Sequence, residues 1–493
     1  MRQAAAASAA EPEWARTDAD PSDGTEEGTA RNPLRQAAAD AEQGNTDELS
    51  APKRPLNRNV KITLCYQPSL NVCTSLATAS PLAAYVLLRT GSNARVGYAV
   101  GAMGVANLCA AFPAAWLADR WSRTAVIRTA VIIGAFGFCS LVASVVLGDH
   151  IHANKQFLCI CASTAIVGCF VGSQSSAVEA IFGDSIPSGS RSRLYVRKQS
   201  LRVLGTAAGP LLAVVVFATV GDHWREGELE IVIACGACLF FCPALLALAL
   251  SEKQTLGELS RPLLADDGDA TERRQQELRI AATVCVSDVV SMLGSGMTVK
   301  FFPLFFWREV GLSPIKVQVI YVAAPTGIAC CAFVAQKLSK RIGRVWVTVC
   351  TKVCACILLA VMTRVDDGPL IIVLYLLRTW LANCCSGLTR SILNDYVRKD
   401  ERARWNAAES INRFGWSGSA VLGGHLVDLY GYRFTFLITA GLQLCSAAIL
   451  SSLARVVERE SSSTYARVES RGDGETKEEP APGDEEGRRA KPD

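Results

Sequence analysis

Residues 292–306 read MLGSGMTVKFFPLFF, an almost wholly apolar run that contains one charged residue, Lys300. In a water-soluble protein this lysine would lie at the rim of a core and extend its ammonium group to solvent. In a membrane helix the same charge is costly to bury, and such residues commonly serve function. The rest of the sequence decides between these two environments.

The composition favours the membrane. Half of the 493 residues are hydrophobic, the mean hydropathy is +0.23 and 19% are charged, whereas a soluble domain carries about 25% charged residues. The charges concentrate in residues 1–58 and 456–493, whose composition predicts disorder. The net charge of +4 does not indicate a nucleic-acid partner. The acidic leader before Val60 lacks the features of a signal peptide or a transit peptide.

The nineteen cysteines lie mostly inside apolar runs, where small polarisable side chains pack helices. Cys235 and Cys238 form a C-x-x-C spacing without a neighbouring histidine or acid, and the whole chain has four histidines. We therefore expect no metal site and no cofactor. The chain also lacks a Ser–His pair, a phosphate loop and a histidine–acid cluster, which argues against an enzyme.

Twelve apolar runs follow one another between the polar ends. A membrane-spanning helix needs about 20 such residues, and only helices satisfy their backbone hydrogen bonds within one lipid-exposed segment. We therefore predict an all-α membrane protein with twelve transmembrane helices. The predicted spans, numbered 1 to 12, are 60–88, 96–117, 125–147, 157–182, 200–220, 229–251, 278–306, 316–336, 345–363, 369–393, 408–429 and 432–455.

Basic residues predict the orientation of these spans. The connections after spans 2, 4, 8 and 10, counted with Arg128 near the start of span 3, carry fifteen lysines and arginines, whereas the six after spans 1, 3, 5, 7, 9 and 11, counted with Lys316 and Arg433 at the starts of spans 8 and 12, carry eight. The positive-inside rule then makes the first group, and both termini, cytoplasmic. The predicted parts are a tail (1–58), a six-helix half (59–251), a cytoplasmic linker (252–277), a second six-helix half (278–455) and a second tail (456–493).

The two halves repeat each other in three places. DSIPSGSR (184–191) after span 4 matches DYVRKDER (395–402) after span 10, each with an acid and an arginine seven positions apart. LADRWSR (117–123) matches LSKRIGR (338–344), and Pro81 in span 1 matches Pro303 in span 7. The three pairs have similar offsets and keep the same order along the chain. They indicate parallel six-helix repeats, as in transporters whose halves are related by an axis along the membrane normal.

On these residues the chain resembles the major facilitator superfamily over all twelve spans. AWLADRWSRT (115–124) is similar to the signature of the family's loop between spans 2 and 3, although Ala115 and Ser122 replace two usual glycines. GTAAGPLLA (205–213) resembles a span 5 signature of exporters in the family, except that Ala213 replaces a glycine. The resemblance implies alternating access, in which the halves rock about a central site and open to each side in turn.

The loop charges are predicted to form a cytoplasmic gate that bridges helix ends when that side is closed. A gate needs only a few kcal/mol between two states, so weak exposed ion pairs suffice. The alternative is that the same residues only fix loop structure and topology. The predicted gate residues are Asp119, Arg120, Arg123, Asp184, Arg191, Arg341, Arg344, Arg390, Asp395 and Arg402.

Two cations inside spans predict a site for an anionic group. Lys300 precedes Arg308 by eight residues, about 12 Å of helix, and Arg378 lies at a similar depth in span 10. Spans 7 and 10 line the central cavity in the family that the chain resembles. The alternatives are snorkelling of the lysine and a buried ion pair. Further predicted substrate contacts are Gln67, Asn71 and Gln174.

Asp288 and Glu179 are predicted to couple transport to protons, because an acid in a poorly hydrated site exchanges protons readily as access alternates. The alternatives are a salt bridge from Glu179 to Arg390 and an acid in water at a helix end. The predicted helix hinges, which could equally serve only close helix packing, are Gly205, Gly209, Pro210, Gly294 and Gly296.

Together these features predict a secondary active transporter that moves a small organic, anionic solute by alternating access with proton coupling. The alternative is a non-transporting membrane sensor or assembly protein on the same fold. The expected partners are the solute, protons and the lipid bilayer, and the expected state is a monomer in the plasma membrane or an internal membrane.

Overall fold

The structure is a computed structural model that describes residues 56–150, 152–186, 191–256, 271–389, 392 and 402–455. The two predicted tails lie almost wholly outside these residues, as does most of the predicted linker. Throughout the described part every regular element is helical, which confirms the predicted all-α fold.

Eleven described helical segments are long and apolar enough to cross a membrane. The last of them is broken at Gly431, whose φ of 84° and ψ of 170° are not helical, so it contains two spans. The helices are Arg58–Thr78 and Ser80–Thr90 (span 1), Asn93–Arg120 (span 2), Arg123–Val146 (span 3), Ala153–Asp184 (span 4), Arg191–Val220 (span 5), Glu226–Cys238 and Phe241–Leu248 (span 6), Thr271–Val299 and Phe302–Arg308 (span 7), Pro314–Ile342 (span 8), Arg344–Met362 (span 9), Gly368–Asn383 (span 10) and Arg402–Ser451 (spans 11 and 12).

Spans 1 and 7 are interrupted at corresponding places. Span 1 breaks at Ala79, two residues before Pro81, and span 7 breaks between Val299 and Phe302, just before Pro303. Proline has no backbone N–H and its ring collides with the preceding helical turn, which accounts for both breaks. Lys300 therefore lies at a helix break rather than inside a continuous helix.

Residues 301–306 form part of the largest cluster of buried apolar side chains in the described part. Phe301, Phe302, Phe305 and Phe306 are each at most 1% exposed. They belong to a cluster that also contains Tyr85 of span 1 and members of spans 2 to 6 and 8 to 12. Burial of four phenylalanines contributes roughly 2 kcal/mol or more for each side chain. This core joins the N-terminal half (spans 1–6) to the C-terminal half (spans 7–12).

The helical bundle has two ends, which are named here by the connections that they carry. The odd-loop end carries the connections after odd-numbered spans, and the even-loop end carries those after even-numbered spans. Large apolar side chains such as Ile132, Phe136 and Phe333 are 65–70% exposed on the outside of the bundle. Such exposure suits contact with lipid, where an apolar surface has no need of burial.

Candidate functional site

The central feature of the site is a buried guanidinium group. Arg378 of span 10 is 3% exposed, and its guanidinium carbon lies 5.3 Å from the centre of the Phe302 ring. No carboxylate forms an ion pair with it among the residues that the structure describes, and its Nε has no hydrogen-bond partner there. An unpaired buried charge is strongly unfavourable. The arrangement therefore suits an anionic ligand that would complete the pair.

Aromatic and hydroxyl groups surround this arginine. Tyr375 lies one helical turn before it, with its ring 4.8 Å from Phe302 and 4.9 Å from Phe306. Tyr321 of span 8 lies 6.3 Å from Tyr375, ring to ring, and interacts electrostatically with Arg378. The buried hydroxyl groups of Tyr321 and Thr379 lie close to the Tyr375 hydroxyl, and within the described part neither forms a hydrogen bond of good geometry. Three donor groups thus lie near one another on spans 8 and 10.

The Lys300 side chain extends away from the odd-loop end, which is the nearer end of the bundle. Its Nζ lies 5.4 Å from the centre of the Trp416 ring on span 11. Trp416 is fifteen residues before Gly431, about 22 Å of helix from the odd-loop end, whereas Lys300 is about 12 Å from that end. The lysine is half-buried and has no ion-pair partner among the described residues. Its side chain therefore points into the bundle toward the even-loop end.

The side chains of the N-terminal half that are predicted to contact the solute lie on spans 1 and 4. Asn71 donates from Nδ2 to the carbonyl oxygen of Arg202 at 3.0 Å, a bond that joins spans 1 and 5. Gln174 is 5% exposed and Gln67 is half-buried. In the described part no hydrogen bond links Gln67, Asn71 or Gln174 to Lys300 or Arg378. Their contact with a solute stays a prediction.

Asp288 has a basic neighbour that the sequence analysis missed. The half-buried Asp288 interacts electrostatically with Lys352 of span 9. The Lys352 Nζ donates to Ser446 Oγ at 3.1 Å, and Ser446 Oγ donates to the carbonyl oxygen of Ser287 at 2.8 Å. Spans 7, 9 and 12 thus share one polar network. Lys352 lies inside the apolar run of span 9, so the signal that identifies Lys300, a charge within a predicted span, could have found it.

Glu179 is paired within its own half. Lys198 of span 5 donates to both carboxylate oxygens, at 2.6 and 2.5 Å, and its ammonium group also lies 4.6 Å from the centre of the Phe182 ring. The alternative of a salt bridge to Arg390 stays a prediction, because Arg390 lies outside the described residues. The Glu179 side chain is 52% exposed, so water screens this pair.

Among the described residues of the even-loop end, Arg123 has the most ionic contacts. Its guanidinium group contacts Asp184 at 2.5 Å and Glu252 at 4.0 Å, and Ser122 donates to Glu252 at 3.0 Å. All of these residues belong to the N-terminal half or, for Glu252, directly follow it. Asp119 is exposed, and Arg120 lies over the Trp116 ring at 5.4 Å.

The remaining predicted gate residues contribute less to the described geometry. Arg341 is exposed, whereas Arg344 is 7% exposed and interacts with neighbouring groups. Arg390 and Asp395 lie outside the described residues, and for Arg191 and Arg402 only the backbone is described. Cross-half bridging by these charges stays a prediction.

The predicted hinge glycines lie where helices approach closely. A Cβ on Gly205 would lie 2.6 Å from the carbonyl oxygen of Pro68, and one on Gly209 would lie 2.5 Å from Ser75 Cβ. The span 5 helix continues unbroken through Pro210. A Cβ on Gly296 would lie only 2.0 Å from the carbonyl oxygen of Trp416, and Thr439 Oγ1 donates to the carbonyl oxygen of Gly294 at 3.0 Å. Close helix packing alone therefore explains why these positions are glycine, whether or not the helices bend there. The hinge role stays a prediction.

Contacts between the halves at the odd-loop end were not predicted from the sequence. Asp428 of span 11 accepts hydrogen bonds from the start of span 2, and Asp222, after span 5, accepts one from the start of span 8. The Trp224 indole donates to the carbonyl oxygen of Leu312 at 2.8 Å and stacks on Trp307 at 5.1 Å. This end is therefore closed between the halves.

Comparison with known proteins agrees with this architecture. A family model described as Major Facilitator Superfamily matches residues 69–277 and 284–483. No curated protein sequence matches the chain. A bacterial homologue of the human lysosomal transporter Spinster, solved inward-facing and unoccupied, is 14% identical with a TM-score of 0.58, covering 82% of this chain and 98% of its own.

Two further solved structures share the fold. A D-xylose–proton symporter is 13% identical with a TM-score of 0.62, over 79% of this chain and 96% of its own. The human organic anion transporter MFSD10 is 15% identical with a TM-score of 0.53, over 81% of this chain and 100% of its own.

Proposed function

Because this chain belongs to the major facilitator superfamily, a family whose solved relatives here include transporters, we propose that it is a secondary active transporter of a small organic anion. The observation that carries the proposal is Arg378, a buried guanidinium group without a carboxylate partner among the described residues. Lys300, at the break in span 7, provides a second positive charge for the same solute.

Electrostatics supports an anion over other solutes. At 4 Å, two opposite unit charges attract by about 4 kcal/mol at an effective dielectric constant near 20, and a cationic solute would be repelled by a similar amount. A carboxylate also accepts two parallel hydrogen bonds from one guanidinium group. The hydroxyls of Tyr321 and Thr379 are suited to donate to the same acceptor. A neutral solute would leave the charge of Arg378 uncompensated.

The proposed route of the solute rests on the contact between the halves at the odd-loop end. Phe302, Phe306 and Tyr375 pack between Arg378 and the odd-loop end, where the halves meet. We propose that the odd-loop end faces outward, that both termini are cytoplasmic, and that the structure is the state closed to the outside. In this proposal, the solute reaches Arg378 from the even-loop end. Alternating access then requires the contacts at the odd-loop end to open.

Asp288 is the stronger of the two proton-coupling candidates. It is half-buried beside Lys352, so a change in its protonation would alter a network that spans three helices. Glu179 is half-exposed and held by Lys198. We expect substrate-driven pH change in proteoliposomes to disappear in Asp288→Asn and to persist in Glu179→Gln. Unchanged coupling in both variants would contradict proton coupling through these acids.

A ligand-binding experiment tests the anion site before the natural substrate is known. The purified protein is heated with a panel of small carboxylic acids and with the primary amides of the same acids. We expect at least one acid to raise the unfolding temperature of the wild type, its amide to have no effect, and Arg378→Gln to abolish the rise. Stabilisation by an amide or amine that survives in Arg378→Gln would contradict the proposal.

A transport measurement then separates the two functions considered from sequence. An acid selected by the first experiment is supplied as a radiolabelled solute to proteoliposomes, with Arg378→Gln as the control. Uptake by the wild type alone supports transport. Binding without any uptake or exchange would favour the non-transporting sensor or assembly protein.

A further inference from the structure

The helices of spans 2 and 8 both begin at the odd-loop end, and both begin after a serine. Ser92 precedes the helix of span 2 and Ser313 precedes that of span 8. The offset between the two serines is the same as the one that relates the loops 117–123 and 338–344. Serine at this position usually caps its own helix by accepting a hydrogen bond from a first-turn N–H. Neither serine side chain does so here.

The cap of span 2 comes from the other half of the molecule. The carboxylate of Asp428, near the end of span 11, accepts from the backbone N–H of Asn93 at 2.8 Å and of Ala94 at 2.9 Å. It also accepts from Asn93 Nδ2 at 2.9 Å and from the hydroxyl of Ser92 at 2.6 Å. The Tyr432 hydroxyl adds a bond to Asn93 Oδ1 at 2.8 Å.

The cap of span 8 is the counterpart of this arrangement. Asp222, just after span 5, accepts from the backbone N–H of Ile315 at 2.8 Å. Ile315 and Ala94 are related by the same repeat offset as the two serines, so the two aspartates bond to equivalent amides. Pro314 occupies the position equivalent to Asn93 and has no N–H to donate, which explains the smaller number of bonds. Trp224 Nε1 adds a bond to the carbonyl oxygen of Leu312.

We propose that Asp428 and Asp222 are reciprocal latches that hold the odd-loop end closed, each half capping a helix of the other. The first N–H groups of a helix have no partner within the helix, and a carboxylate is favoured there by the helix dipole. Here these partners are present only while the halves touch. Separation of the halves uncaps both helices together, so the two caps report and stabilise one closed state.

Hydrogen–deuterium exchange of the full chain in lipid nanodiscs tests this proposal, which rests on alternating access but needs no substrate. We expect Asp428→Ala to raise amide exchange about tenfold at Asn93 and Ala94, and also at Ile315, where the Asp222 cap is unmutated. Asp222→Ala should raise exchange at both places by a smaller factor, roughly fivefold, because it removes one bond. Exchange that rises only beside the mutated residue would overturn the latch and leave two local caps.

Asp367 provides the matched control. Its carboxylate caps span 10 within one half by accepting from the N–H of Leu370 at 3.0 Å. Asp367→Ala should raise exchange at Leu370 and leave Ala94 and Ile315 unchanged. Should Asp428→Ala fail to fold, Asp428→Asn preserves the size of the side chain and removes its charge, and it should raise exchange at Ile315 by a smaller factor. Unchanged exchange at Ile315 in Asp428→Asn would equally overturn the proposal.

Discussion

At the odd-loop end two sets of described hydrogen bonds cross between the halves, one from the start of span 2 to Asp428 and one from the start of span 8 to Asp222, although the ion pairs of Arg89 and Arg433 at this end each stay within one half. At the even-loop end the bonds of Arg123 reach Asp184 and Glu252, so they stay within the N-terminal half and the residue that directly follows it. The first kind must break when the halves rock, whereas the second kind can survive the whole motion. The contacts between the halves therefore stabilise one closed state, whereas the contacts within a half stabilise that half as a rigid body.

Substitutions of closely packed glycines should give the largest difference between contacts across the halves and contacts within one half. A Cβ on Gly97 would lie 2.5 Å from the carbonyl oxygen of Ala420 across the halves, and one on Gly205 would lie 2.6 Å from that of Pro68 inside the N-terminal half. Overpacking of this kind costs about 1–3 kcal/mol. In Gly97→Val the halves can relieve it by separating, so amide exchange at Ala94 and Ile315 should rise about tenfold to a hundredfold.

Gly205→Val offers no such relief. We expect its strain to lower the unfolding temperature of the protein and to leave amide exchange at the odd-loop end unchanged. Gly227, whose added Cβ would meet nothing within 4 Å, supplies the control Gly227→Val with little effect on either measurement. Equal loss of unfolding temperature in Gly97→Val and Gly205→Val, without added exchange in the first, would contradict the distinction between the two contacts.

The fold could be predicted from the sequence because its signals are local. Apolar runs mark the spans, and Pro81 and Pro303 stand close to the breaks of spans 1 and 7. Arg378 and Lys300 were also visible as candidates, since a charge in an apolar run is rare. That Arg378 lacks a carboxylate partner among the described residues could not be foreseen, because it depends on which side chains of other spans surround it.

The closed end could not be predicted for the same reason. Asp428 lies 334 residues from Ala94, and Asp222 lies 93 residues from Ile315. In sequence both aspartates look like solvated residues at helix ends, where acids are common. The repeat offset between Ser92 and Ser313 was present in the sequence, but the missing serine caps become visible only in three dimensions.

The indole of Trp224 gives an effect of intermediate size. Trp224→Phe removes the bond to the carbonyl oxygen of Leu312 and keeps an aromatic ring against Trp307. One neutral hydrogen bond contributes about 1 kcal/mol, so exchange at Ala94, on the other side of the closed end, should rise roughly fivefold. Tyr432→Phe removes the corresponding bond to Asn93 and should act on Ile315 by a similar factor. Purely local changes in both variants would argue that the two contact regions open independently.

Arg123→Ala should have the smallest effect. The side chains of Arg123 and Asp184 are 24% and 43% exposed, so their ion pair contributes about 1 kcal/mol or less. We expect a slightly lower unfolding temperature in 50 mM salt, a smaller difference from the wild type in 500 mM salt because of screening, and no change in amide exchange at Ala94 and Ile315. Raised exchange at those two amides would mean that Arg123 also stabilises the contact between the halves. The even-loop end would then share in holding the closed state, and its charges would act as the gate that their sequence motif indicates.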